Sequence, residues 1–371
     1  MKPSVLKCNP LPWLKDLGAW TPPTAPAGGS PATPTLWMGS NENPRGPSPT
    51  VRQVIVREAA TSNRYPDGPA TALRHALAED AGVPPDRIVL GNGSNELLTL
   101  VARAYLAPGR EAITAAHAFA VYGMATRAQG ATLVEVPGPG YGHDPDAIIA
   151  ACRPSTSVVF IANPNNPTGT WLPPNEIERL LQALPPHVLV VLDEAYLEYV
   201  DDCPTQPGAD FFDLHPNLVV TRTFSKAWGL AGLRLGYAVA PPHIVSLLHA
   251  LRDPYNCNTL AQHAALAALN DRAYLEDSVA INRSERSALI DDLRSRGLTP
   301  TPSQANFVMC RTTPTCAARH LHAALLERHV VVAHLAPYGL PDHLRITVGT
   351  PDENRLFSSR LDAALDALSH G

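Results

Sequence analysis

The stretch RTFSKAWGLAGLRLGY, Arg222–Tyr237, brings together residue types that do chemistry as a group. It follows an apolar run, LVVTRTF, with a turn carrying Ser225 and Lys226, and reaches Arg234 eight residues after the lysine through a glycine-rich segment. A lysine at a strand end can form an imine with a carbonyl, while a hydroxyl and a guanidinium beside it bind a phosphate. The pattern suits a phosphorylated carbonyl cofactor, although a lysine in a polar turn is more often a solvated charge.

Three further segments sit at the ends of strand-like runs. Gly91 and Gly93 bracket a turn that sets the amides of Ser94 and Asn95 at a helix N-terminus. Unpaired N–H groups there attract anions, and an ordinary capped turn is the alternative. Asp193 closes a run of Val and Leu. An inward carboxylate at such a place needs a cation, which a protonated pyridine nitrogen would supply; a helix N-cap is the other reading. Tyr196, and Asn166 within NPNNPTG (Asn163–Gly169), could each hydrogen-bond a phenolic oxygen on the same ring. NPNNPTG also reads as a proline-braced turn.

The elements that must position these residues alternate along the chain. Strand-like runs are IVLGNGS, EAITAA, ATLVEVP, SVVFIANP, VLVVLDEAY, NLVVTRTF and RLGYAVA. Short all-apolar runs such as VLVVL predict strands buried on both faces, hence a mainly parallel sheet with helices on either side. Ligands gather at the carboxyl ends of such strands, where all four segments fall. Apolar spacing predicts helices over about Pro49–Thr61 and Ala70–Ala81, and a long helical region from Ile244 through Tyr274–Arg296. The last part mixes the strands NFVMC, VVVAHL and LRITVG with helices over Cys316–Arg328 and Pro351–Leu368, a compact α+β unit. The expected division is 1–47 (N-terminal arm and part of a small domain), 48–250 (large cofactor domain) and 251–371 (linking helix and C-terminal small domain). Residues 1–35 are proline-rich and aperiodic, with Trp13 and Trp20 as apolar anchors.

Composition narrows the partners. With 371 residues, 45% apolar and 17% charged, the chain reads as a globular protein with a large core. A formal charge of −5 gives no basic footprint for nucleic acid, and no apolar run is long enough to predict a membrane span. The N-terminus lacks the apolar core of a signal peptide. The 6 cysteines are scattered, with no CxxC pair, which predicts reduced thiols in a cytoplasmic enzyme and no metal site.

The order SNENP, RYPDG, GNGSNE, HAFAVYG, NPNNPTG, DEAY, SKAWGLAGLRLGY and LRITVGT resembles the fold type I pyridoxal-phosphate aminotransferases, and most closely the histidinol-phosphate aminotransferases. The resemblance implies a large domain with a mainly parallel seven-stranded sheet in an α/β/α sandwich, and a small α+β domain. It implies pyridoxal 5'-phosphate as cofactor, Lys226 as its Schiff-base lysine, Asp193 as partner of the ring nitrogen, and Tyr196 and Asn166 at the phenolic oxygen. Phe119 would stack on the ring, and Ser94, Asn95, Ser225 and Arg234 would cradle the phosphate. Tyr65 would reach the cofactor of a neighbouring subunit, which implies a homodimer with shared sites. Arg345 would grip the substrate's anionic group, with Asn43, Asn306, Arg45 and Trp20 also on the substrate side. The implied reaction converts histidinol phosphate and 2-oxoglutarate to imidazole acetol phosphate and glutamate, a step of histidine biosynthesis.

The substrate side departs from that family. Ala333 stands where relatives that use histidinol phosphate carry a second arginine, and Trp20 where they carry a tyrosine. Weaker recognition of a substrate phosphate is then expected, unless Arg45 or His334 reaches in, and other amino acids are expected to compete as donors. A related aminotransferase acting on an aromatic or other amino acid is the main alternative. A decarboxylase of the threonine-phosphate type shares RYPDG and GNG, but its lysine motif differs from TFSKAWGLAGLR.

Overall fold

The computed structural model describes residues 10–15, 17, 34–201, 215–313 and 316–369. Its large sheet holds β2 (Ile88–Gly91), β3 (Glu111–Ala115), β4 (Thr132–Val136), β5 (Thr156–Ala162), β6 (Leu189–Asp193), β7 (Leu218–Thr223) and β8 (Gly236–Val239); a short β1 (Leu36–Trp37) lies outside it. The order is β2-β8-β7-β6-β5-β3-β4, parallel except where β8 runs antiparallel to β2 and β7. The expected seven-stranded, mainly parallel sheet is the one observed.

Side-chain alternation explains why the strands read as unbroken apolar runs. In β5, Val159 and Ile161 pack on one face of the sheet, while Val158 and Phe160 pack on the other. Ten helices precede the C-terminal one: α1 (Pro49–Ala59), α2 (Thr71–Ala81), α3 (Ser94–Tyr105), α4 (Ala120–Ala128), α5 (Pro145–Ala151), α6 (Pro174–Ala183), α7 (Pro242–Leu251), α8 (Thr259–Leu269), α9 (Arg272–Ser295) and α10 (Ala318–Glu327), with α11 (Pro351–Ser369) last among the described residues. Leu73 of α2, Leu180 of α6 and Ala264 of α8 cover the Val159 face; Leu98 of α3, Tyr122 of α4 and Leu248 of α7 cover the Val158 face. With both faces dry, each strand can be apolar at every position.

The remaining strands are β9 (Thr299–Pro300), β10 (Phe307–Arg311), β11 (Val330–Val331), β12 (Ala333–His334) and β13 (His343–Thr347). They form an antiparallel sheet of order β12-β13-β10-β9, while β11 pairs with β1. VVVAHL, expected as one strand, is therefore two. Val330 and Val331 pair with Leu36 and Trp37, whereas Ala333 and His334 pair with Arg345 and Leu344. The helical region after Ile244 is also divided. Asn258 caps α8 by accepting the Ala261 N–H at 2.8 Å, which satisfies a donor that a continuous helix would bond internally.

Candidate active site

Asp193 is the last residue of β6 and is 4% exposed. Tyr122 donates its hydroxyl to Oδ2 at 2.8 Å, and Thr221 of β7 donates to Oδ1 at 3.1 Å. Burial raises the carboxyl pKa to about 6, opposed by these two hydroxyls and the Ala195 N–H. No salt bridge reaches it among the described residues, so a buried carboxylate at this strand end lacks the cation that burial calls for. Tyr122 stacks on Phe160 with ring centroids 4.9 Å apart and meets the edge of Phe119 at 5.8 Å.

Lys226 follows the end of β7. Its Nζ donates to the Ser40 carbonyl at 3.1 Å and lies 5.6 Å from the centre of the Tyr196 ring. Burial, then the neighbouring Arg345 charge, lowers its pKa to about 7. Tyr196 is 4% exposed, its hydroxyl oxygen accepts from Asn41 Nδ2 at 3.0 Å, and burial raises its pKa to about 12. Asn166 accepts from Arg345 Nη1 through Oδ1, and Arg345 Nη2 donates to the Gly39 carbonyl at 2.6 Å. The Arg345 Nε is buried with no partner among the described residues.

A cradle lies where α3 begins. Gly93 takes φ +79° at the N-cap, Ser94 opens the helix, and Asn95 stands exposed at the mouth. Arg234 donates from Nη1 to Ser225 Oγ at 3.4 Å. Two glycines keep this space open: a Cβ on Gly236 would lie 2.5 Å from the Ser94 nitrogen, and one on Gly93 would lie 2.5 Å from Arg234 Nη2. Helix N–H groups, a hydroxyl and a guanidinium thus face one small volume, a donor set for a phosphate.

The remaining expected site residues divide. Asn306 donates to the carbonyls of Asn41 and Glu42, at 3.0 and 3.2 Å, and so joins the site's wall. Asn43 holds the lysine turn, donating to the Ala227 carbonyl at 2.9 Å. Tyr65 is 80% exposed and stacks on Tyr255 at 4.6 Å, away from the cradle of its own chain. Trp20 lies outside the described residues.

Arg45, expected on the substrate side, and His334, the other side chain that could have reached in, both bond elsewhere. Arg45 does not aim at the Arg345 side: its guanidinium lies 4.4 Å over the Tyr274 ring and donates to Ser278 Oγ at 3.0 Å, both on α9. His334 is the neighbour of Ala333 on β12, so strand alternation turns it to the opposite face, where Nε2 meets the Pro341 carbonyl at 2.9 Å. Ala333 itself is directly opposite Arg345, so its methyl shares the arginine's face.

Three residues at the heart of the site, Asn41, Tyr122 and Thr221, escape sequence reasoning. Tyr122 leaves a faint trace, since it lies three residues after Phe119 at the start of a helix. Asn41 lies within SNENP, which gave it no role, and Thr221 leaves no trace, because only chain crossing and strand pairing bring them to Tyr196 and Asp193.

The donor set fits pyridoxal phosphate: an unpaired buried carboxylate for the ring nitrogen, a lysine of lowered pKa for the carbonyl, and a glycine-lined cradle for the phosphate. Fold and site together define a fold type I pyridoxal-phosphate-dependent aminotransferase. A sequence model described as aminotransferase class I and II matches residues 33–361, and the chain belongs to that family. It is 48% identical over 328 residues to the histidinol-phosphate aminotransferase 2 of Pseudomonas fluorescens, an alignment spanning 88% of each protein. Its fold is similar to that of the histidinol-phosphate aminotransferase of Sinorhizobium meliloti in complex with pyridoxal-5'-phosphate, with TM-score 0.85, 30% identity and 90% and 91% of the two chains covered. The aspartate aminotransferase of Thermus thermophilus with maleate shares it at TM-score 0.79 and 26% identity, over 90% of this chain and 92% of that one. The resemblance carried by SNENP, RYPDG and LRITVGT therefore holds across the chain.

Proposed function

We propose that this aminotransferase takes the amino group of histidinol phosphate and passes it to 2-oxoglutarate, giving imidazole acetol phosphate and glutamate in histidine biosynthesis. The observation that carries the donor is the 48% identity, over 88% of the chain, to a protein named for that reaction. In the structure, Arg345 supplies the buried guanidinium that an anionic donor requires.

The residues divide the work. Pyridoxal phosphate, when bound, supplies an electron-accepting ring and a carbonyl that takes up and gives back an amino group. Asp193, ionised, keeps the ring nitrogen protonated, and the hydroxyls of Tyr122 and Thr221 hold its two oxygens in place. Lys226, with its pKa lowered to about 7, would be the base that takes a proton from the substrate Cα and delivers it to the carbon that bore the cofactor's carbonyl. Tyr196 and Asn166 hold the phenolic oxygen, Phe119 backs the ring, and Ser94, Asn95, Ser225 and Arg234 hold the phosphate.

Further parts of this reading concern the assembly. We take 48–250 together with α8, which packs on the large sheet and so moves the expected boundary past 250, as the cofactor domain, and 1–47 with the segment from α9 onward as the unit closing over it. Tyr65, exposed at 80%, would serve the site of a second copy in a homodimer. Such an enzyme works in the cytoplasm on small molecules, with no membrane or nucleic-acid partner.

One observation favours a wider donor range. A small Ala333 beside Arg345 leaves that guanidinium as the principal counter-charge for a substrate phosphate, and an α-carboxylate needs no more than that. The test is a donor screen following the loss of the cofactor's visible band with histidinol phosphate and the common amino acids. Turnover with histidinol phosphate is expected, along with measurable competition from phenylalanine or tyrosine. No response to histidinol phosphate at any concentration would overturn the named reaction.

A further inference from the structure

The segment just after β1 bonds to three of the polar side chains around the site's centre. The Gly39 carbonyl accepts from Arg345, the Ser40 carbonyl accepts from Lys226, and Asn41 Nδ2 donates to the Tyr196 hydroxyl oxygen at 3.0 Å. Asn41 is 1% exposed and is pinned on three further sides. Its N–H donates to Thr347 Oγ1 at 3.0 Å, its carbonyl accepts from Asn306 Nδ2 at 3.0 Å, and its Oδ1 accepts from Thr347 Oγ1 at 3.3 Å. The threonine hydroxyl receives the backbone proton and sends its own to Oδ1. The amide is thereby oriented with its NH2 toward Tyr196.

Asn41 also adopts φ +55°, the left-handed region. Glycine, asparagine and aspartate settle there most readily. Of those three, only asparagine presents a side-chain donor; glycine has no side chain, and an ionised aspartate only accepts. Backbone conformation and hydrogen-bond direction together select this residue type.

We infer that Asn41 is a positioning residue that sets the direction of the Tyr196 hydroxyl: by filling a lone pair of the phenol oxygen as donor, it leaves the Tyr196 proton for the cofactor's phenolic oxygen. The inference rests on the proposed role of Tyr196 as a ligand of that oxygen. Without the Asn41 donor, the tyrosine is free to turn its proton elsewhere. The other polar groups acting on Tyr196 do not fix that direction. Arg345, Asp193 and Tyr338 act through charge, and Lys226 lies over the ring face.

The test is a pH titration of the visible band of the holoenzyme in four forms: wild type, Asn41→Gly, Tyr196→Phe and the double variant. Asn41→Gly keeps the left-handed backbone and removes only the amide. A donor on the phenolic oxygen favours the anionic ring, so weakening it raises the titration midpoint. An upward shift of about half a pH unit to one unit is expected for Asn41→Gly, and at least as much for Tyr196→Phe. The double variant should titrate like Tyr196→Phe alone, because Asn41 acts through the hydroxyl that is then gone. An unshifted midpoint in Asn41→Gly overturns the inference, and so does an equal shift in the Tyr196→Phe background. If Asn41→Gly does not retain cofactor, Thr347→Val tests the same path by releasing the amide, and it should shift the midpoint in the same direction only while Tyr196 is present. A wild type with no band from lysine-bound cofactor would sink the proposed function itself; a normal band with no Asn41 effect sinks only this inference.

Discussion

The floor of the site and its roof are built differently. On the floor, Asp193 ends β6, Lys226 follows β7, and Ser94 opens α3 after β2, so each group sits at the carboxyl end of a strand of one sheet. On the roof, the backbone from Gly39 to Asn43, then Asn306 and Arg345 arrive from chain positions more than 250 residues apart and meet through side-chain and carbonyl bonds. The floor is fixed by sheet geometry, and single substitutions there should remove chemistry while leaving the fold. The roof is held by many small contacts, and changes there should adjust specificity by modest factors.

The sharpest test of the floor is Lys226→Ala. It should lower turnover by at least about 10⁴-fold and abolish the visible band of bound cofactor, since both proton transfer and attachment depend on that amine. A band that persists would break the assignment. The same amine predicts a pH effect: cofactor capture by the apoprotein should slow as pH falls through about 7, where the neutral lysine is lost.

Asp193→Asn should come next, with a loss of about 10²- to 10³-fold. Asparagine can still accept from Tyr122 or Thr221, so the protein should fold and take up cofactor. Near-normal turnover would remove Asp193 from the mechanism. Mixing inactive Tyr65→Ala and Lys226→Ala chains should restore partial activity if sites are shared. Verified mixed dimers that stay inactive would leave Tyr65 as a surface residue stacked on Tyr255.

Roof variants should have smaller effects. Ala333→Arg places a second guanidinium on the face of Arg345 and should raise preference for histidinol phosphate over phenylalanine about tenfold to a hundredfold. An unchanged preference would show that the substrate phosphate lies elsewhere. Smallest of all, Arg45→Ala and His334→Ala should leave donor preference within about threefold, because those side chains bond to α9 and to the Pro341 carbonyl. A large loss from either would reverse the structural correction.

The sequence by itself determined the sheet, because strands dry on both faces are written as unbroken apolar runs, and the residues at their carboxyl ends can then be read off in order. The positions of Asp193, Lys226, Ser94 and Arg234 were legible for that reason, since each falls at a local strand end, turn or helix start, while their roles are what the family resemblance implies. Tertiary structure alone decided what supports them. Thr221 meets Asp193 only through the β6–β7 register, and Asn41 meets Tyr196 across 155 positions of sequence. It also decided direction: Arg45 and His334 carry suitable charge in the sequence, yet α9 and strand alternation turn both away from Arg345. A residue's type states which bonds it can make, but only the packed chain determines which partner lies within the three ångströms or so that a hydrogen bond requires.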